Sequence, residues 1–391
     1  MTKTQNLYQR RHDLDWLRIL AILLLLFFHV GMFFTTWDWH IKNNETSEMF
    51  DSVMVFLHQW RMPLLLFISG AGTIFASARR TRKEFIIERH KRLLIPLLFA
   101  MLFIIPPQIY VERIENYPSY LNFYPTVFEF VPYPMGGSLS WHHMWFVLYL
   151  LVYSMLAVPL ISFLKSDGSN GVITWLENFL SRKWGFISFI IPISISQIIL
   201  RPFFPHETHA LIDDWAYFVM YGAYFLAGIT VASSDQLWKI LRRYRRFHFS
   251  IALLSLIVMQ YLWHTPWEQI QPYLRIDLKY IWEFDKIVLT WSWVIAIIGY
   301  GQKYLNKNYP VLKPANEGIY PFYILHQTVI ILIAYPLESM NTDILTKFFI
   351  ISILSFLATV GIYLIFIRPF NVMRFFFGMK QKYNCAENHR K

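Results

Sequence analysis

Over 391 residues the chain is 55% hydrophobic and 19% aromatic, with only 16% of residues charged, which is more apolar surface than one soluble core of this size can bury. The excess belongs against lipid, and the formal charge of +11 then sets membrane orientation instead of marking a nucleic-acid ligand, because the basic residues fall in short segments between apolar runs. The single cysteine, Cys385, excludes an internal disulfide framework and any thiolate nucleophile at membrane depth, since it lies in the polar C-terminal stretch.

Met1 to Asp13 is polar and basic. The apolar run after it continues through Thr35 without a small-residue cleavage site and predicts an uncleaved first span. In chain order the predicted spans are Leu14 to Thr36, Val53 to Ala76, Leu93 to Tyr110, Met144 to Leu164, Phe186 to Leu200, Trp215 to Val231, Phe249 to Trp263, Ile287 to Tyr300, Ile319 to Tyr335 and Phe348 to Ile367. These ten make an all-α polytopic membrane protein with both termini on one side. Alternate connections separate the charge: the N-terminal arm, Arg79 to Arg92, Lys165 to Lys183, Lys239 to Arg246, Lys303 to Lys313 and the C-terminal tail hold 27 of the 36 basic residues, the opposite connections 7. By the positive-inside rule the arm (1–13) and the tail (368–391) are expected in the cytoplasm, and the chain in the cytoplasmic membrane. No repeat or low-complexity tract appears, so residues 1–391 read as one membrane domain. The longest outer loop, Tyr110 to His143, has a length typical of functional loops.

A charge within an apolar span costs at least about 2.5 kcal/mol and needs a partner or a role. Arg18 and His29 are eleven residues apart, so on a helix they return to within about 20° of one face, roughly 16 Å apart along the axis. Only Ile19 to Phe28, wholly apolar, lies between them. Asp15 is three residues before Arg18 and placed to pair with it. Either Arg18 snorkels to the interface and His29 is a packing residue, or the two line an interior path. The second span favours the path: it reads His58-Gln59-Trp60-Arg61, placing a second histidine at similar depth, and imidazoles suit proton transfer near neutral pH. Its small-residue cluster Ser69-Gly70-Ala71-Gly72 serves close helix packing or, with Ser69, offers an acyl-carrying nucleophile.

Arg79 to Arg92 carries seven basic residues in fourteen. It is either a topology and lipid signal or a phosphate site in which Arg89 and Arg92 hold a ligand such as coenzyme A. His142-His143 opens the fourth span, but no carboxylate or cysteine lies at ligand spacing beside it, so no metal is expected. His206-Glu207-Thr208-His209 is too short for a His-Glu-x-x-His zinc motif and reads as an ordinary loop. His326, in Tyr320-Pro321-Phe322-Tyr323-Ile324-Leu325-His326, is a lone intramembrane histidine with a structural or a functional role. Trp141, Trp145 and other tryptophans at span ends are interfacial anchors or sugar-stacking surfaces. A proton-coupled secondary transporter of a small or anionic solute also fits intramembrane arginine and histidine, although the chain lacks the two similar halves common in transporters.

Five local patterns, in order over most of the chain, resemble the acyltransferase 3 family of membrane acyltransferases: Arg18 and His29 with ten residues between them and Leu14-Asp15 before them, Phe67-Ile68-Ser69-Gly70, Arg89-x-x-Arg92, His143-Met144-Trp145-Phe146, and the Tyr320 to His326 phrase. His58-Gln59-Trp60-Arg61-Met62 before the Ser-Gly phrase looks most like the branch that succinylates periplasmic glucans. The resemblance implies an integral membrane O-acyltransferase that moves an acetyl or succinyl group from cytoplasmic acyl-CoA to a hydroxyl of an extracytoplasmic glycan. In it acetyl-CoA or succinyl-CoA is a co-substrate and no cofactor stays bound. It also implies Arg89 and Arg92 on the donor's phosphates, His29 as general base, Arg18 and Arg61 on the donor or oxyanion, and His58 as a relay.

Overall fold

The computed structural model describes residues 10–78 and 80–382; the first nine residues, Arg79 and Cys385 lie outside them. Twelve helices carry the architecture: α1 (His12–Met32), α2 (Glu48–Ser77), α3 (Arg82–Glu112), α4 (Trp145–Leu156), α5 (Val158–Lys165), α6 (Asn170–Leu180), α7 (Ile190–Leu200), α8 (Trp215–Ala232), α9 (Asp235–His264), α10 (Leu278–Tyr304), α11 (Leu312–Ala334) and α12 (Ile344–Ile362). Among the described residues there is no sheet, only an isolated bridge between Pro132 and Leu139.

Seven helices are long and apolar enough to cross a membrane, namely α1, α2, α3, α8, α9, α11 and α12, and the bent pair α4 and α5, 48° apart, makes an eighth. The other two predicted spans are helical too. The seventh helix belongs to a short apolar stretch, Ile187–Leu200, and α10 is 27 residues long but diluted by Thr290, Ser292, its tryptophans and its charged ends. The chain is therefore an all-α, multi-pass integral membrane protein.

The backbone gathers into two units. The first comprises Met1–Leu25, Glu48–Ile86 and Val152–Tyr309. In it the Ser-Gly phrase explains itself: a Cβ on Gly70 would lie 2.0 Å from the Phe225 carbonyl oxygen, and one on Gly228 would lie 2.0 Å from that of Phe67. Only glycine at both positions lets α2 and α8 approach backbone to backbone. Ser234 caps α9 by accepting from the Gln236 N–H, and Asp214 caps α8 by accepting from that of Tyr217, which satisfies helix-end donors that have no partner within the helix.

The second unit comprises Leu26–Ser47, Ile87–Leu151 and Pro310–Lys391. Its core helix is α11, in which an unbroken run from Pro321 to Ile331 is buried. The long loop ahead of α4 is not featureless, for it folds into short helices at Tyr120–Phe123 and Tyr124–Glu129. Along α12, Phe349, Ile353, Phe356 and Leu357 stand exposed, the apolar face that a lipid-bathed helix presents.

Candidate active site

His29, on the last turn of α1, is buried, and its Nδ1 lies 3.0 Å from Nε2 of His326 on α11. The two ring planes differ by 8°. His326 is thus not a lone histidine. Its Nδ1 lies 2.6 Å from the Tyr323 carbonyl oxygen one turn back, and a carbonyl can only accept. In the neutral pair the order follows without choice: Nδ1–H of His326 donates to Tyr323, its Nε2 accepts from Nδ1–H of His29, and the lone pair of His29 resides on Nε2. A backbone carbonyl, fixed by helix geometry, thereby selects the basic tautomer of His29.

A polar network continues through the same unit. His143 Nε2–H donates to the Ile324 carbonyl at 3.0 Å, its ring meets that of His326 edge to face at 5.5 Å, and Tyr323 Oη donates to the His143 backbone oxygen. Gln108 donates to Thr328 Oγ1 at 2.6 Å and accepts from Gln327 at 3.1 Å. Gln327 in turn donates to His40 Nε2 at 3.0 Å, so His40 Nδ1–H donates to Glu112 at 2.8 Å. Buried amides joined in this way fix side-chain orientation, since each lost bond would strand a donor or acceptor.

The first unit holds a cluster of different character. Glu207 accepts from His58 Nε2 at 2.9 Å and from Tyr221 Oη at 2.7 Å, and His209 Nε2 lies within ion-pair distance at 3.0 Å. Burial by itself raises the Glu207 carboxyl, but the adjacent His58 and His209 outweigh it and hold the group well below the usual carboxylate range. The loop is shaped for this, because Asp214 accepts the backbone N–H groups of Thr208 and His209 at 3.0 and 3.1 Å. The run from His206 to His209, an ordinary loop by sequence, therefore supplies the carboxylate partner of His58. Arg61 is buried on α2, within electrostatic reach of Tyr221.

Arg18 pairs with Asp15 at 3.0 Å, as their spacing predicts, and Asp15 also takes Arg10 at 2.9 Å. Arg92 is paired with Glu88 one turn back at 3.1 Å. Arg89 is the last residue before a π-turn, His90–Leu94, that contains Arg92; this wider turn, a frequent mark of functional positions, was invisible in the sequence spacing. The Ser69 carbonyl accepts from Thr73 Oγ1 at 2.8 Å, and Trp145 packs edge to face on Tyr149 at 5.2 Å.

Residues 11–368 match the family model described as an acyltransferase domain, that of the acyltransferase 3 family. The chain belongs to that family. It is accordingly a membrane acyltransferase, and the transporter reading gives way. Glucans biosynthesis protein C of Escherichia coli K12 is 28% identical over 170 residues, which cover 41% of this chain and 42% of that protein. The same protein from the strains SMS-3-5 and O1:K1 matches to the same extent. The chain thus aligns with less than half the length of these curated relatives. No solved structure matches. Of the five phrases carrying the family resemblance, the fold joins the histidines of the first and last directly, and it gives Gly70 of the Ser-Gly phrase a packing role. Glu207, Gln108 and Gln327 were not singled out by sequence; the one available signal was a glutamine at membrane depth, where a polar side chain needs a partner.

Proposed function

We propose that the chain transfers an acyl group, acetyl or succinyl, from cytoplasmic acyl-CoA to a hydroxyl of an extracytoplasmic carbohydrate such as a glucan, in the cytoplasmic membrane. The observation that supports this most is the His29, His326, Tyr323 carbonyl relay, which leaves His29 Nε2 as the basic atom. In the reaction His29 Nε2 takes the proton of the acceptor hydroxyl as its oxygen attacks the thioester carbonyl. The C–S bond then breaks, and the thiolate of CoA leaves and is protonated. The developing imidazolium of His29 is stabilised by His326, whose own proton is tied to Tyr323. Arg89 and Arg92 bind the phosphates of the donor. Arg18 and Arg61 orient the donor or stabilise the oxyanion, and His58, held by Glu207, is the second proton-transfer group. The name of the E. coli relatives supports the glucan as acceptor.

The test is release of free CoA by the purified chain in nanodiscs from acetyl-CoA and succinyl-CoA, with and without a glucan acceptor, followed by mass spectrometry of the acceptor. Acceptor-dependent CoA release that disappears in His29→Ala, together with an acyl mass increment on the glucan, is the expected result. No turnover with either donor, or full turnover in His29→Ala, overturns the proposal.

A further inference from the structure

Away from the His29 pair, three residues distant in sequence meet in the second unit: His40 from the segment after α1, Glu112 at the end of α3, and His142 just ahead of α4. Each offers one donor atom, and these atoms all lie within 4.8 Å of one another. All three side chains are partly shielded from solvent. The sequence argued against a metal here because no carboxylate stands near His142 in the chain; the fold supplies one.

We propose that His40, Glu112 and His142 form a binding site for a divalent transition-metal ion of the zinc class. Two imidazoles and a carboxylate are the borderline nitrogen and oxygen donors such an ion prefers, and three protein ligands leave a fourth position for water. The His142 Nε2 atom supplies the independent observation: it is buried with no hydrogen-bond partner, an arrangement that is costly unless something occupies it. Its other ring nitrogen, Nδ1, is 2.6 Å from Ser140 Oγ. When Nδ1–H donates to that oxygen, Nε2 presents a lone pair. His142 is held there at a left-handed φ of 35°, and its ring lies parallel to that of His40, with centroids 4.7 Å apart.

An outer shell is already in place. Tyr133 donates to the second Glu112 oxygen at 2.6 Å, which leaves Oε2 toward the metal. Arg113, the adjacent cation, is engaged with the Gly137 carbonyl and the Tyr133 ring. On binding, the His40 proton shifts from Nδ1 to Nε2, and Gln327 turns its amide oxygen to accept it, giving up its bond to Gln108, so the ion replaces the His40–Glu112 and Gln327–Gln108 hydrogen bonds without net proton release.

The test uses the full chain, purified in detergent, stripped with chelator and titrated with zinc chloride by calorimetry, then loaded with cobalt(II) for visible spectroscopy. One zinc ion per chain and the intense visible bands of four-coordinate cobalt are expected. His142→Ala and Glu112→Gln should lower zinc affinity by more than the roughly 10–100-fold that loss of an outer-shell partner costs, and Tyr133→Phe by about that amount. Glu207→Ala, in the other unit, should retain full affinity. The proposal is overturned by a wild-type chain that takes up no zinc, by cobalt spectra of the aquated ion only, or by affinity that falls in Glu207→Ala but not in His142→Ala. The wild-type cobalt spectrum decides the matter even where a variant fails to fold.

Discussion

His29 and His58 stand on successive helices and look alike in the sequence, yet they lean on different partners. In the neutral pair His29 donates to an imidazole that is itself anchored on a backbone carbonyl. His58 meets a carboxylate kept ionised by two histidines, and an ionised carboxylate can only accept, so His58 Nε2 must carry a proton. The first arrangement leaves a lone pair on the far nitrogen, whereas the second directs an N–H at a carboxylate oxygen. The same side chain thus faces an imidazole in one unit and a carboxylate in the other, and under the proposed function that difference assigns the base to His29.

Removing each histidine in turn separates the two roles. His29→Ala should reduce CoA release by about 100-fold or more, the usual worth of a general base, with normal insertion and purification. His58→Ala should cost clearly less, and an equal or larger loss would reverse the two roles.

Next in size is His326→Ala. Without its acceptor His29 loses its fixed tautomer, so kcat should fall about tenfold while KM for acyl-CoA stays put. The pH–rate profile should move with it, a change that mere loss of packing would not produce. Profiles that superimpose on wild type would reduce His326 to a filler.

Arg89→Ala with Arg92→Ala should then raise KM for acyl-CoA with a smaller change in kcat, because phosphate binding remote from the reacting bond acts on affinity. Unchanged acyl-CoA affinity by calorimetry would return the cluster to a topology signal.

The smallest effect belongs to Glu207. Its pKa is depressed in the folded chain, so its contribution to stability is complete above the unfolded carboxylate value and fades as pH falls through the folded one. The thermal midpoint of Glu207→Gln should therefore lie below wild type at neutral pH, and the gap should close in acid. A gap independent of pH would mean that the carboxylate charge is not what holds His58.

Much of the fold was legible because lipid imposes a simple rule: long apolar runs become helices, since only a helix satisfies its own backbone within one segment. All ten spans predicted by that rule are helical, while α6, in a connection between spans, was not predicted. The rule failed at α7 and α10 only in deciding whether each is apolar enough to cross. The spacing of Asp15 and Arg18 was equally readable, for a local helical pair needs no tertiary information. The Ser-Gly phrase of α2 was legible as small residues, but that both faces of the contact are glycine, Gly70 and Gly228, required the packed helices.

The class of molecule and the candidates on α1 were readable from the chain alone: an apolar multi-pass chain with a costly arginine and histidine on one face. Their partners came from the packing of distant helices. His326 lies 297 residues from His29, Glu207 lies 149 from His58, and His40 and Glu112 are 72 apart. Helical periodicity reaches only a few turns along the chain, while hydrogen bonds between helices depend on which faces packing brings together. For His29, the identity of the basic nitrogen was settled by a carbonyl on a helix far away in the chain, which no local pattern encodes.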